Sequence, residues 1–218
     1  MPKWLKFIIA ILLLPVCFGA MKTFWLVVQR SGGNAITIWV ALGGGCACWL
    51  VIYYMLPRPM WMYVFGHELT HALWTWVFAG RVKKFKVTSN GGHVVVTKNN
   101  FIIALAPYFF PIYVAMVVIV FLIGHLIWNW RHYVSFFHLL IGAAYAFHVT
   151  LTFHILKTRQ SDITEQGYFF SFIVIFLGNI LVLIIGLPLL TGSSELVRVF
   201  ADWFHATADV LYRIRAMF

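Results

Sequence analysis

Long apolar stretches alternate with short polar ones along nearly the whole chain. About 20 apolar residues are needed to cross a bilayer as a helix. Six stretches reach that length, at about 7–28, 35–56, 60–79, 101–124, 133–156 and 168–190. The first holds Lys22 near its end. The second carries Gly43-Gly44-Gly45, small residues that let helices approach closely, and stops at Pro57-Arg58-Pro59. The third ends at Gly80, and the fourth contains Pro107 and Pro111.

Two segments break this pattern. In residues 81–100, the β-branched runs Phe85-Lys86-Val87-Thr88 and Val94-Val95-Val96-Thr97 flank Asn90-Gly91-Gly92. Residues that tolerate positive φ between such runs predict a β-hairpin. Residues 193–218 open on Ser193-Ser194-Glu195, a helix start. Glu195, Asp202 and Asp209 then recur every seven residues on one face, and Leu196, Val199, Phe200, Trp203, Val210, Leu211 and Ile214 cover much of the other. That predicts an amphipathic helix lying in a membrane interface. The expected fold is therefore an all-α polytopic membrane protein of about six transmembrane helices, with one small β-hairpin and a C-terminal amphipathic helix. Residues 1–192 form the transmembrane domain, with its core at 60–190, and 193–218 form the amphipathic helix.

Composition agrees with that class. Of 218 residues, 62% are hydrophobic and only 10% charged, too few to coat a soluble domain. The net charge of +10 comes from cations in the short segments between apolar runs. Such charges orient a protein against lipid headgroups, and a nucleic-acid partner is not expected. Lys3 and Lys6 precede an apolar run without a small-residue cleavage site after it, so the first stretch reads as a retained anchor helix. Arg81, Lys83, Lys84, Lys86 and Lys98 crowd one loop and predict that it is cytoplasmic. Cys17, Cys46 and Cys48 lie in apolar stretches with neither metal-site nor disulfide spacing.

The third apolar stretch carries the candidate chemistry, His67-Glu68-Leu69-Thr70-His71. Two histidines four apart on a helix point the same way and can share one zinc, while the glutamate between them can act on water at the metal. Composition alone would produce roughly 0.005 such matches in a chain of this length. An acidic side chain at mid-helix in a bilayer costs about 2.5–3.5 kcal/mol on insertion scales, so its presence there marks function. Catalytic zinc takes a third protein ligand. The acidic candidates outside the motif and the C-terminal helix are Asp162 and Glu165, and the competing histidines are His93, His138, His148 and His154. His125, His132 and His205 read as interfacial.

The segment 65–179 resembles the site-2 protease family of intramembrane zinc metalloproteases. The resemblance rests on Gly66-His67-Glu68-Leu69-Thr70-His71-Ala72-Leu73, on Gly80 after the motif helix, on a β-prone loop ending in Gly91-Gly92, and on Ala104-Leu105-Ala106-Pro107. It implies a divergent, minimal member without PDZ or CBS domains. The family places an aspartate in a later span, usually in Leu-Asp-Gly and eight residues after an asparagine. Here Asp162 stands in Ser161-Asp162-Ile163, and His154 takes the asparagine's place.

The resemblance implies one zinc per chain, held by His67, His71 and Asp162, with Glu68 as general base. His154, by spacing alone, becomes the donor to the developing oxyanion. The implied activity is regulated intramembrane proteolysis of membrane-embedded protein or peptide substrates by a multi-pass protein of a prokaryotic cell membrane. A helical substrate must unwind to be cut, and its freed backbone groups need partners. Gly91, Gly92, His93, Val94 and Val95 would supply a strand edge for them. Two other readings are a zinc hydrolase acting on a non-peptide membrane substrate and a non-catalytic chaperone or scaffold retaining the fold. The sequence does not specify an oligomeric state.

Overall fold

A computed structural model describes residues 1–32, 35–88 and 91–217. Its helices are α1 (Lys3–Ser31), α2 (Ile36–Met55), α3 (Met60–Val77), α4 (Phe101–Leu105), α5 (Ile112–Trp128), α6 (Val134–Ile155), α7 (Ser161–Gln166), α8 (Tyr168–Thr191) and α9 (Leu196–Arg215). The strands β1 (Val82–Thr88) and β2 (Gly91–Val96) form one antiparallel pair. Contacts divide the chain into two units, one of residues 1–36 with 161–218 and one of residues 37–160.

Four helices are long and apolar enough to cross a membrane: α1, α2, α6 with the 3₁₀ turn before it, and α8. A bent pair makes a fifth if it counts as one span. That pair is the expected fourth stretch, which is not straight. Residues 101–108 and α5 meet at 79°, where Pro107 and Pro111 each remove a backbone donor that a continuous helix would need. The third stretch is helical as expected, but α3 is not among the apolar spans. Two histidines, a glutamate and two threonines lower its hydropathy.

In the first unit, α1 runs unbroken past Lys22 and alongside α8 in the same direction. The Phe7 and Phe169 rings lie 5.3 Å apart at one end, and Ser31 and Thr191 hydroxyls meet at the other. Lys6 is buried, and its Nζ donates to Gln166 Oε1 at 2.7 Å, securing the end of α7. The helix α9 is amphipathic as expected, but its acidic stripe turns toward protein. Asp202 pairs with Arg30, and Asp209 pairs with Lys22 at 3.0 Å, on the face where Val199 and Ala206 are buried. Lys22 holds the Asp209 carboxyl below its usual range by hydrogen bonding and charge. Val197, Phe204 and Leu211 are left exposed.

In the second unit, α2, α3 and α6 share a core of Trp49, Tyr63, Ala146, Phe147 and Leu151. Gly45 is required there, since a Cβ would fall on the backbone of Leu139 and Ala143. Trp49 Nε1 donates to Thr150 Oγ1 at 2.8 Å across the same helix pair. The hairpin packs on α3, with Phe65 and Phe85 rings 6.0 Å apart. It is longer than the sequence suggested. Thr88 pairs with Gly91 and Val87 with Gly92, so these glycines belong to β2 and not to the turn. Asn90, expected in that turn, lies outside the described residues.

Candidate metal centre

Helix α3 starts at Met60 after Pro57-Arg58-Pro59 and closes where Gly80 N–H reaches Thr75 O at 2.8 Å. His67 and His71 lie one turn apart on it, and their Nε2 atoms are 3.2 Å apart. Two nitrogens on one zinc, at bond lengths of ~2.0–2.1 Å and a tetrahedral angle, stand about 3.3 Å apart. The observed pair fits.

The protonation of His71 is decided locally. Its Nδ1 lies 2.8 Å from Ile103 O and must donate, because a carbonyl oxygen only accepts. A neutral imidazole that donates from Nδ1 carries its lone pair on Nε2, the atom facing His67. Ile103 O is available for a sequence reason. In a continuing helix it would accept from the N–H four residues on, and that residue is Pro107. Asn100 fixes the approach, as its side chain accepts from Ile103 N at 2.9 Å and caps α4. Pro107 therefore acts on the site through the carbonyl of Ile103.

Glu68 is buried on the same helix, 8% exposed. Strand β2 passes over it. A Cβ on Gly92 would lie 2.7 Å from Glu68 Cγ and 2.9 Å from both Val64 Cγ1 and Lys86 O. Only glycine lets the strand come this near. Gly92 thus lies beside α3, while a Cβ on Gly91 would meet nothing, His93 is exposed and Val95 is 42% exposed; Val94 is half-buried between them.

His67 also borders a cavity of about 10 Å³, room for one water. Tyr63, Thr70, Tyr113, Phe147 and His148 line it too. Thr70 Oγ1 donates to Gly66 O at 2.7 Å and Tyr113 Oη to Met62 O at 2.5 Å, so both hydroxyls are occupied. A larger apolar cavity of about 720 Å³ shares Tyr113 and Phe147 with it and is otherwise lined by residues such as Trp49, Val120 and Phe137.

The remaining expected residues fall elsewhere. His154 is near the end of α6, its Nδ1 3.4 Å from Arg58 Nη1, and it does not line the water-sized cavity. Asp162 is the second residue of α7 in the first unit and is half-buried, whereas Glu165 is exposed. The sequence named His148 only among competing third ligands, and the structure places it on the water-sized cavity with His67. Spacing to Asp162 selected His154, but the orientation of α6 brings His148 beside His67.

Within α3, then, the residues can hold a metal ion. Comparison of the chain with protein-family models, curated proteins and solved structures finds no match.

Proposed function

We propose that this chain is an intramembrane zinc metalloprotease that hydrolyses peptide bonds of membrane-embedded substrates. The observation that carries the reading is the His67–His71 pair, with Nε2 atoms 3.2 Å apart and one tautomer fixed by Ile103, on a helix that also buries Glu68. In this reading Asp162 is the third ligand. The family resemblance supports it, as does the exposure of Glu165, the other nearby carboxylate.

These residues would hold a zinc, which when bound would lower the pKa of its water and polarise a carbonyl. His67 and His71 present their nitrogens from one helix face, and Ile103 keeps the His71 ring from turning. Glu68 accepts a proton from the attacking water and passes it to the departing amine. Its position beneath Gly92 puts this proton transfer beside a strand. An unwound substrate segment can pair with that strand, its backbone groups bonded as the helix is lost. The 720 Å³ apolar cavity nearby offers room for large apolar side chains.

The test compares membranes carrying wild-type protein with membranes carrying Glu68→Gln protein, by quantitative proteomics and zinc analysis. Uncleaved membrane proteins should accumulate in the variant at unchanged zinc content. A wild-type chain without zinc would point to a scaffold. Zinc without any cleaved polypeptide would point to a hydrolase of non-peptide substrates.

A further inference from the structure

His148 is 6% exposed on α6 and lines the water-sized cavity together with His67. Among the described residues, His148 Nε2 has no hydrogen-bond partner. A buried polar atom without a partner costs free energy, so a side chain kept this way in an apolar helix needs a reason. Packing alone would be served by leucine or phenylalanine at similar volume. Of the cavity's three hydroxyls, on Tyr63, Thr70 and Tyr113, the last two are given to backbone carbonyls. Nε2 of His148 is a buried polar atom without a partner, on a residue that shares this cavity with His67.

We propose that His148 Nε2 is the hydrogen-bond donor to the substrate carbonyl oxygen as it gains negative charge, the role that spacing assigned to His154. This inference rests on the protease reading. The neutral imidazole with its proton on Nε2 is a donor, and a preorganised donor in a dry site stabilises developing charge without reorganising. The bonding balances without further reagents. The water oxygen adds to the carbonyl carbon, and the water's proton moves to Glu68. The C–N bond then breaks, and the amine leaves with that proton. His148 keeps its own proton throughout, and before substrate arrives one water in the cavity can occupy its donor.

Two measurements separate this role from a structural or ligand role. The first is hydrolysis of a fluorogenic apolar peptide in detergent micelles by full-length protein. His148→Ala should lower kcat by about 10²–10³-fold, as loss of one such donor does, with KM and zinc per chain unchanged. His148→Gln, whose amide can still donate, should recover part of the loss. The second is titration of cobalt-substituted protein with a phosphinic dipeptide, a tetrahedral oxyanion mimic, followed by the cobalt visible spectrum. His148→Ala should weaken phosphinate binding by a similar factor, and His154→Ala should not. Loss of zinc or cobalt on His148→Ala would make His148 a ligand and overturn the proposal. So would an unchanged kcat, or unchanged phosphinate affinity. Wild-type protein that binds no cobalt would overturn the protease reading itself, and this inference with it.

Discussion

His71 Nδ1 donates to the main-chain oxygen of Ile103 at 2.8 Å, and that oxygen is free to accept because Pro107 has no N–H to offer it. The bond links the proline break after α4 to the tautomer of a histidine on α3. Pro107→Ala restores a competing donor and lets α4 continue. Zinc affinity should fall by about 10–100-fold, as loss of partners that orient a ligand commonly does. Competition with a chelator of known affinity measures it. Wild-type affinity in this variant would mean that the Ile103 bond does not govern the ligand.

His67→Ala and His71→Ala should each remove the metal, because one remaining histidine and a distant carboxylate in sequence give too few ligands for a tight site. Elemental analysis of purified protein gives zinc per chain. A double variant that retains its zinc would refute the site.

Glu68→Gln keeps the side-chain volume and removes the proton acceptor. Zinc content and thermal stability should stay near wild type while peptide cleavage is lost. Cleavage at near the wild-type rate would exclude Glu68 as the base.

Asp162→Asn should reduce zinc content and Glu165→Gln should not. The two side chains are three residues apart on α7 and point only about 60° apart around it, so the choice rests on burial, Asp162 being half-buried and Glu165 exposed. If only Glu165→Gln loses metal, the third ligand is the other carboxylate.

Gly92→Ala tests the strand above Glu68. The added methyl meets Lys86 O and Val64 Cγ1 at 2.9 Å as well as Glu68, so the strand must lift away. Activity should drop sharply at unchanged zinc content. Val95→Pro, which removes one backbone donor from β2 without touching Glu68, should also impair cleavage. If Val95→Pro cleaves normally, β2 does not hold substrate through its backbone.

Much of this arrangement was legible in the sequence, for physical reasons. The apolar runs fix where helices form, since a helix is what satisfies its own backbone in an apolar setting. The i, i+4 spacing puts His67 and His71 on one face of any helix, whatever surrounds it. Asn90-Gly91-Gly92 between β-branched runs called for a hairpin, and one is present as β1 and β2. Local sequence did not carry the rest. The proline pair in residues 101–124 marked a break but not its 79° bend. The acidic stripe of α9 was visible, but not that Arg30 and Lys22 would face it, because those partners lie more than 170 residues earlier in the chain. His148 and His154 are both on α6, and spacing alone did not show that His148 is the one that lines the cavity at His67. Which face of α6 turns toward α3 is decided by how Phe147 and Ala146 pack with Trp49 and Tyr63. That is a property of the assembled core and of no single segment.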